Sequence, residues 1–211
     1  TRANDVEVYA IWRMVAIMKK YGIYSVISPY WAGHVNNVPA GWGIEGYSGT
    51  SNQPWEVMYF DEKLKNAYKE WVKTLYTVTN PFTGIALKDD PSVALIQIKN
   101  EDGVFWWTIS SVQPALLIKI EKKFYDWLIA KYKTINDALA AWSNVSIATD
   151  QPSQGRMSLY HIWDITQSGH SAGKNARLSD QVHFLADTQR SFYKEIYDHY
   201  RSLGCKQLIN G

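Results

Sequence analysis

One short stretch holds the side chains best suited to catalysis. Asn100, Glu101 and Asp102 follow the apolar run Val93 to Ile98, and the pair Trp106-Trp107 comes just behind them. A carboxyl group beside an amide and a large aromatic can act as a general acid, since partial desolvation favours its protonated form. The same glutamate could instead cap a helix or pair with a surface lysine, and the motif alone leaves these readings open. The run itself is short, rich in β-branched residues, preceded by Asp89-Asp90-Pro91 and followed by Gly103, as expected of a strand covered on both faces. Glu101 would then stand at the carboxyl end of a strand, where ligands bind in parallel α/β architectures.

The elements needed to position that stretch can be read from periodicity. Asp5 to Tyr21 places Val8, Ile11, Trp12, Val15 and Met18 at helical spacing, with Gly22 as a stop. Ile23 to Tyr30 reads as a strand, ending near Trp31 and His34. Asp61 reads as an N-cap for a helix carrying Leu64, Ala67, Tyr68, Trp71, Val72 and Leu75 on one face. Leu117, Ile120, Phe124 and Leu128 mark a helix after Pro114, and Ile135 to Trp142 a short one. Ser179 to Ser202 predicts a long helix closed by Gly204, with a last strand over Cys205 to Ile209. Strands alternating with helices imply a parallel sheet. Two segments, about 32–60 and 143–178, lack sustained periodicity and are expected as loop insertions. The first is rich in glycine and aromatics and could wall a cleft.

Composition narrows the function classes. A formal charge of +2 with no Lys/Arg block argues against a nucleic-acid partner. No apolar run reaches the roughly 20 residues that cross a bilayer, so no membrane partner is expected. The single cysteine, Cys205, excludes an internal disulfide and a multi-cysteine metal site. The five histidines show no HExxH spacing, no G-x-S-x-G elbow or P-loop occurs, and Gly41-Trp42-Gly43 reads only as a loop signal, so neither a metal nor another cofactor is expected. Asp89 and Asp90 read as turn formers, and His183 and His199 as solvated or core-edge residues. Ten tryptophans and 14 tyrosines permit stacking on sugar rings.

The series Asn80-Pro-Phe-Thr-Gly, Asp89-Asp-Pro and Asn100-Glu101 resembles the fourth-strand region of cellulase-like clan A glycoside hydrolases, which are (β/α)8 barrels. Met18-Lys-Lys-Tyr-Gly-Ile-Tyr24, and Asp180-Gln181 with Gln189, Phe192, Tyr193 and Gly204, extend that resemblance over most of the chain. It implies an α/β fold, a partial TIM (β/α)8 barrel spanning about the third to fifth strands as one incomplete unit over 1–211. It also implies a retaining glycoside hydrolase acting on β-linked polysaccharide or oligosaccharide. Glu101 would be its acid/base and Asn100 its sugar-binding amide, with Trp31, His34, Trp106 and Trp107 lining the cleft by position.

The family's nucleophile lies on a seventh strand, so this piece is expected to be inactive alone, with Glu45 and Glu56 as weak substitutes. A non-catalytic carbohydrate-binding protein is the alternative. A different barrel enzyme, an isomerase or aldolase, would need a phosphate site, metal ligands or a Schiff-base lysine, and Lys99 is badly placed for that. A barrel cut open should self-associate through its exposed edges. The compartment is unknown from the sequence, although such a parent is expected to be secreted or periplasmic.

Overall fold

The computed structural model describes residues 5–31, 38–49, 54–101, 103–105 and 112–211. Its regular elements are α1 (Asp5–Lys20), β1 (Ser25–Ile27), α2 (Glu62–Thr77), β2 (Val93–Gln97), α3 (Pro114–Tyr132), α4 (Ile135–Ala141), α5 (Ile162–Thr166), α6 (Ala172–Ser202) and β3 (Leu208–Asn210). The fold is α/β, with a small open sheet of three parallel strands in the order β1-β2-β3. Every periodic segment became the expected type of element, but the strands are shorter than expected. The long helix also begins at Ala172 rather than Ser179. No described helix is long and apolar enough to cross a membrane.

The chain divides into two compact units. The first contains α1, β1, α2, β2, the last turns of α6 and β3. Two of its helices hand over to strands through the same device. Gly22 (φ 72°) and Gly204 (φ 89°) adopt left-handed backbone after α1 and α6, and the next amides, Ile23 and Cys205, bond back to Met18 and Tyr200. Strand register sets Ile27, Ile96 and Ile209 in one row and Val26, Leu95 and Leu208 in the other. Ile27 and Ile96 are buried, whereas Val26 and Leu208 are 64% and 71% exposed. One face of this parallel sheet is thus open, although parallel sheets are ordinarily covered on both faces.

Turn chemistry holds the amino end of β2. Asp90 accepts from the Ser92 amide at 2.9 Å, the Ser92 hydroxyl at 2.8 Å and the Lys19 ammonium at 3.0 Å. Burial opposes the charge on Asp90, but these partners outweigh it and keep the carboxyl below its usual range. Asn80 is fully buried, donating to the Trp12 carbonyl and accepting from the Phe82 amide. The Asn-Pro and Asp-Pro portions of the series are therefore structural in this chain.

The second unit holds residues 36–61 and 102–190. Phe124 sits between Trp142, at 6.3 Å, and Phe184, at 5.2 Å, in its apolar core. The aperiodic segment 143–178 is organised by charge. Arg177, fully buried, forms a two-pronged pair with Asp150 at 2.6 Å per bond and also donates to the Ser158 carbonyl. Arg156 donates through Nε and Nη2 to one oxygen of buried Glu121, and Asp180 accepts from Lys131, Tyr132 and Trp142.

Removing one partner of a buried pair strands the other charge. Asp150→Asn is expected to lower the unfolding free energy by about 3–5 kcal/mol in urea titrations. Glu45→Gln, at an exposed carboxylate paired with Lys119 and Lys122, should change it by less than about 1 kcal/mol.

Acid should weaken the fold in two stages. Burial holds His199 neutral, its ring bonded to the Lys69 carbonyl, and the pKa is lowered. Stability from the neutral ring is complete above the unfolded value and is lost as pH falls through the lower folded one. Asp90, Asp150 and Glu195 have depressed values, so their contributions follow at lower pH. Urea midpoints should fall between about pH 7 and 5, and His199→Gln should flatten that upper part alone. An unchanged profile in the variant would contradict the assignment.

Candidate functional site

At their carboxyl ends β1 and β2 are pinned by one helix. Tyr68 and Trp71 lie three residues apart on α2, hence on one face. The Tyr68 hydroxyl donates to the Ile98 carbonyl at 2.9 Å, and the Trp71 indole donates to the Pro29 carbonyl at 3.0 Å. Because the carbonyl can only accept, Tyr68 spends its proton there. Its second contact, with the Tyr200 hydroxyl at 2.9 Å, must then be donated by Tyr200. Burial pushes both phenols well above their ordinary pKa, so both keep their protons at any physiological pH.

Beyond those anchors the middle strand stays paired on both sides. The Ile98 amide donates to Asn210 on β3, and the Asn100 amide donates to the Tyr30 carbonyl at 3.0 Å. Trp31 and Asn100 form an isolated parallel bridge past the ends of the strands. Trp31 is 42% exposed and Asn100 is half-buried. Glu101 is exposed and takes a left-handed backbone at φ 49°. That region is uncommon for a residue other than glycine and turns the chain sharply away from the strand.

The structure thus brings three of the sequence-derived candidates, Trp31, Asn100 and Glu101, to one edge of the sheet. His34, Trp106 and Trp107 lie outside the described residues, as does Asp102. The desolvation expected of Glu101 is not supplied by the described residues, because its side chain is open to solvent. Of the two weak substitutes for a second carboxylate, Glu45 is 3.6 Å from Lys122 and 3.9 Å from Lys119. The Glu56 side chain falls outside the described residues.

Lys99, between Ile98 and Asn100, packs among aromatic rings. It is 2% exposed, with its ammonium 5.0 Å from the centre of the Tyr30 ring and 5.6 Å from that of Phe192. A cation over aromatic faces stabilises by about 0.5–2 kcal/mol and helps fix both rings. Sequence reasoning placed Tyr68 and Trp71 on an apolar helix face but missed their polar ends. The available signal was that a buried Tyr or Trp nearly always finds a hydrogen-bond partner.

Cys205 is buried and its thiol is pushed up to about 11 by desolvation, which suppresses the reactive thiolate. Among the described residues no group of three or more His, Cys, Asp or Glu side chains could hold a metal ion. His183 is exposed, and His199 is half-buried against α2 through the Lys69 carbonyl, as a core-edge residue would be. In comparisons with known proteins the chain matches no family model, no curated protein and no solved structure.

Proposed function

We propose that this chain is part of a retaining glycoside hydrolase acting on β-linked polysaccharide or oligosaccharide, built as a partial (β/α)8 barrel and inactive alone. The observation that supports this reading best is the placement of Asn100 and Glu101 past the end of the middle parallel strand, with the exposed ring of Trp31 bridged alongside. A sugar could stack on that ring while the Asn100 amide bonds a hydroxyl. Glu101 is the proton donor for the departing glycosidic oxygen and later the base that activates water. The open sheet face at Val26 and Leu208 is what a barrel interior without its remaining strands would present. Retaining hydrolysis requires a second carboxylate roughly 5–5.5 Å away as nucleophile. The resemblance assigns that group to a later strand than the three seen here.

The exposure of Glu101 favours one second reading, in which the chain binds glycan without hydrolysing it and Glu101 is only a ligand contact. Calorimetry with cello-, manno- and xylo-oligosaccharides, alongside aryl-glycoside assays, separates the two. On the hydrolase reading one of these sugars binds, Trp31→Ala weakens it about tenfold, and Glu101→Gln leaves affinity within about twofold, because an acid/base acts on the transition state. A tenfold loss in Glu101→Gln would favour the binding protein. Failure of every sugar to bind would overturn both. Turnover abolished by Glu101→Gln would overturn the claim that a second carboxylate is missing.

A further inference from the structure

The sequence Asn-x-Ser/Thr, with any residue but proline in the middle, is the acceptor of N-linked glycans. It occurs in this chain once, at Asn144-Val145-Ser146. The motif lies in the second unit, just past the end of α4 and inside the segment that lacks helical periodicity. Asn144 and Ser146 are both exposed, and Val145 between them is half-buried.

Backbone geometry explains the asparagine but not the serine. Ser143 and Asn144 take left-handed backbone, at φ 55° and 60°, and the Asn144 amide bonds back to the Leu139 carbonyl at 2.8 Å. Asparagine tolerates that conformation better than most residues, so the turn by itself favours one there. Nothing in the turn calls for a hydroxyl two residues later. Other polar side chains nearby are used by the fold: Thr149 donates to Ser158, Ser158 donates to Glu121, and Asp150 holds Arg177. By contrast, the Asn144 side-chain amide and the Ser146 hydroxyl have no hydrogen-bond partner among the described residues.

We propose that Asn144 carries an N-linked glycan, attached before the chain folds. Its side-chain nitrogen attacks the anomeric carbon of an oligosaccharide carried on a polyprenyl diphosphate. The nitrogen–carbon bond forms, the carbon–oxygen bond to the diphosphate breaks, the diphosphate leaves with the electron pair, and the amide proton passes to a base on the transferase. The fold sets the timing. The Val145 amide bonds to the Trp142 carbonyl at 3.1 Å, and its carbonyl accepts from Arg177 at 3.4 Å. The start of α6 closes over the same turn, since a β-carbon at Gly173 would lie 2.2 Å from the Trp142 carbonyl oxygen and 2.8 Å from a Val145 methyl. A transferase cannot draw the three residues into its own site while the middle one is clamped. Gly173 and Arg177 follow the motif in sequence, so it leaves the ribosome before its clamp exists. Such a glycan requires export of the chain and not the carbohydrate reading, because Asn144 lies in the other unit from Trp31, Asn100 and Glu101.

Secretion of the chain from a eukaryotic cell, followed by mass spectrometry, tests it. The expected product is heavier than the 24.2 kDa chain by one glycan, which peptide-N-glycosidase removes while converting residue 144 to aspartate. Ser146→Ala, at an exposed hydroxyl, should abolish the modification with unchanged circular dichroism, and Ser146→Thr should retain it. Thr166→Asn creates a second acceptor with exposed Ser168 and reports that the chain met the transferase. A glycan at that second position with residue 144 left bare would overturn the proposal. For the timing, detergent-solubilised transferase with its lipid-linked donor should modify the chain during cell-free synthesis and leave the purified folded chain bare. Transfer to Asn144 in the folded chain would overturn attachment before folding.

Discussion

The hydrogen bonds from α2 to the ends of β1 and β2 are the constraint on which the candidate site depends. A three-residue and a five-residue strand have few ladder bonds, and their carboxyl ends would otherwise fray. Tyr68 and Trp71 prevent this by satisfying the carbonyls of Ile98 and Pro29, the residues directly before Lys99-Asn100 and Tyr30-Trp31. Both donors come from rigid aromatic rings on one helical turn, so they fix the strand ends with little side-chain entropy lost. Lys99 adds to the brace through the faces of Tyr30 and Phe192. Each polar contact lies close to apolar packing and is worth more for being shielded from water.

The second unit shows a different way of ordering chain. Residues 143–178 lack a continuous apolar face, and their shape is specified by charged side chains meeting fixed partners. Arg177 on Asp150, and Arg156 on Glu121, tie loop residues to helices, the first through a two-pronged pair and the second through two donors on one carboxylate oxygen. Such pairs give specificity more surely than net stability, because desolvation offsets much of their attraction.

Different parts of this molecule were legible in the sequence to different degrees, for physical reasons. α1, α2 and α3 bury apolar residues at helical spacing, so their periods predict them. The Schellman turns at Gly22 and Gly204 were visible because only glycine takes left-handed backbone cheaply. The placement of Asn100 and Glu101 beyond a strand followed from the apolar run that precedes them. The start of α6 was missed because Ala172 to Leu178 has its buried arginine, Arg177, in an otherwise polar stretch, and its burial depends on Asp150, 27 residues away. The burial of Lys99 was not legible for the same kind of reason. A lysine reads as solvated until the rings of Tyr30 and Phe192, far away in sequence, are known to surround it. The open face at Val26 and Leu208 was not legible, since local pattern alone makes both residues core.

The proposed function makes the carboxyl edge of β1 and β2 a preformed platform for a β-linked sugar. Heteronuclear NMR titration with the best-binding oligosaccharide tests it most directly. The largest shift changes should fall on the Trp31 indole, the Asn100 side-chain amide and the Glu101 backbone amide, while Ile98, held by Tyr68, stays in place. Shift changes confined to other residues, or none at saturating sugar, would contradict the claim.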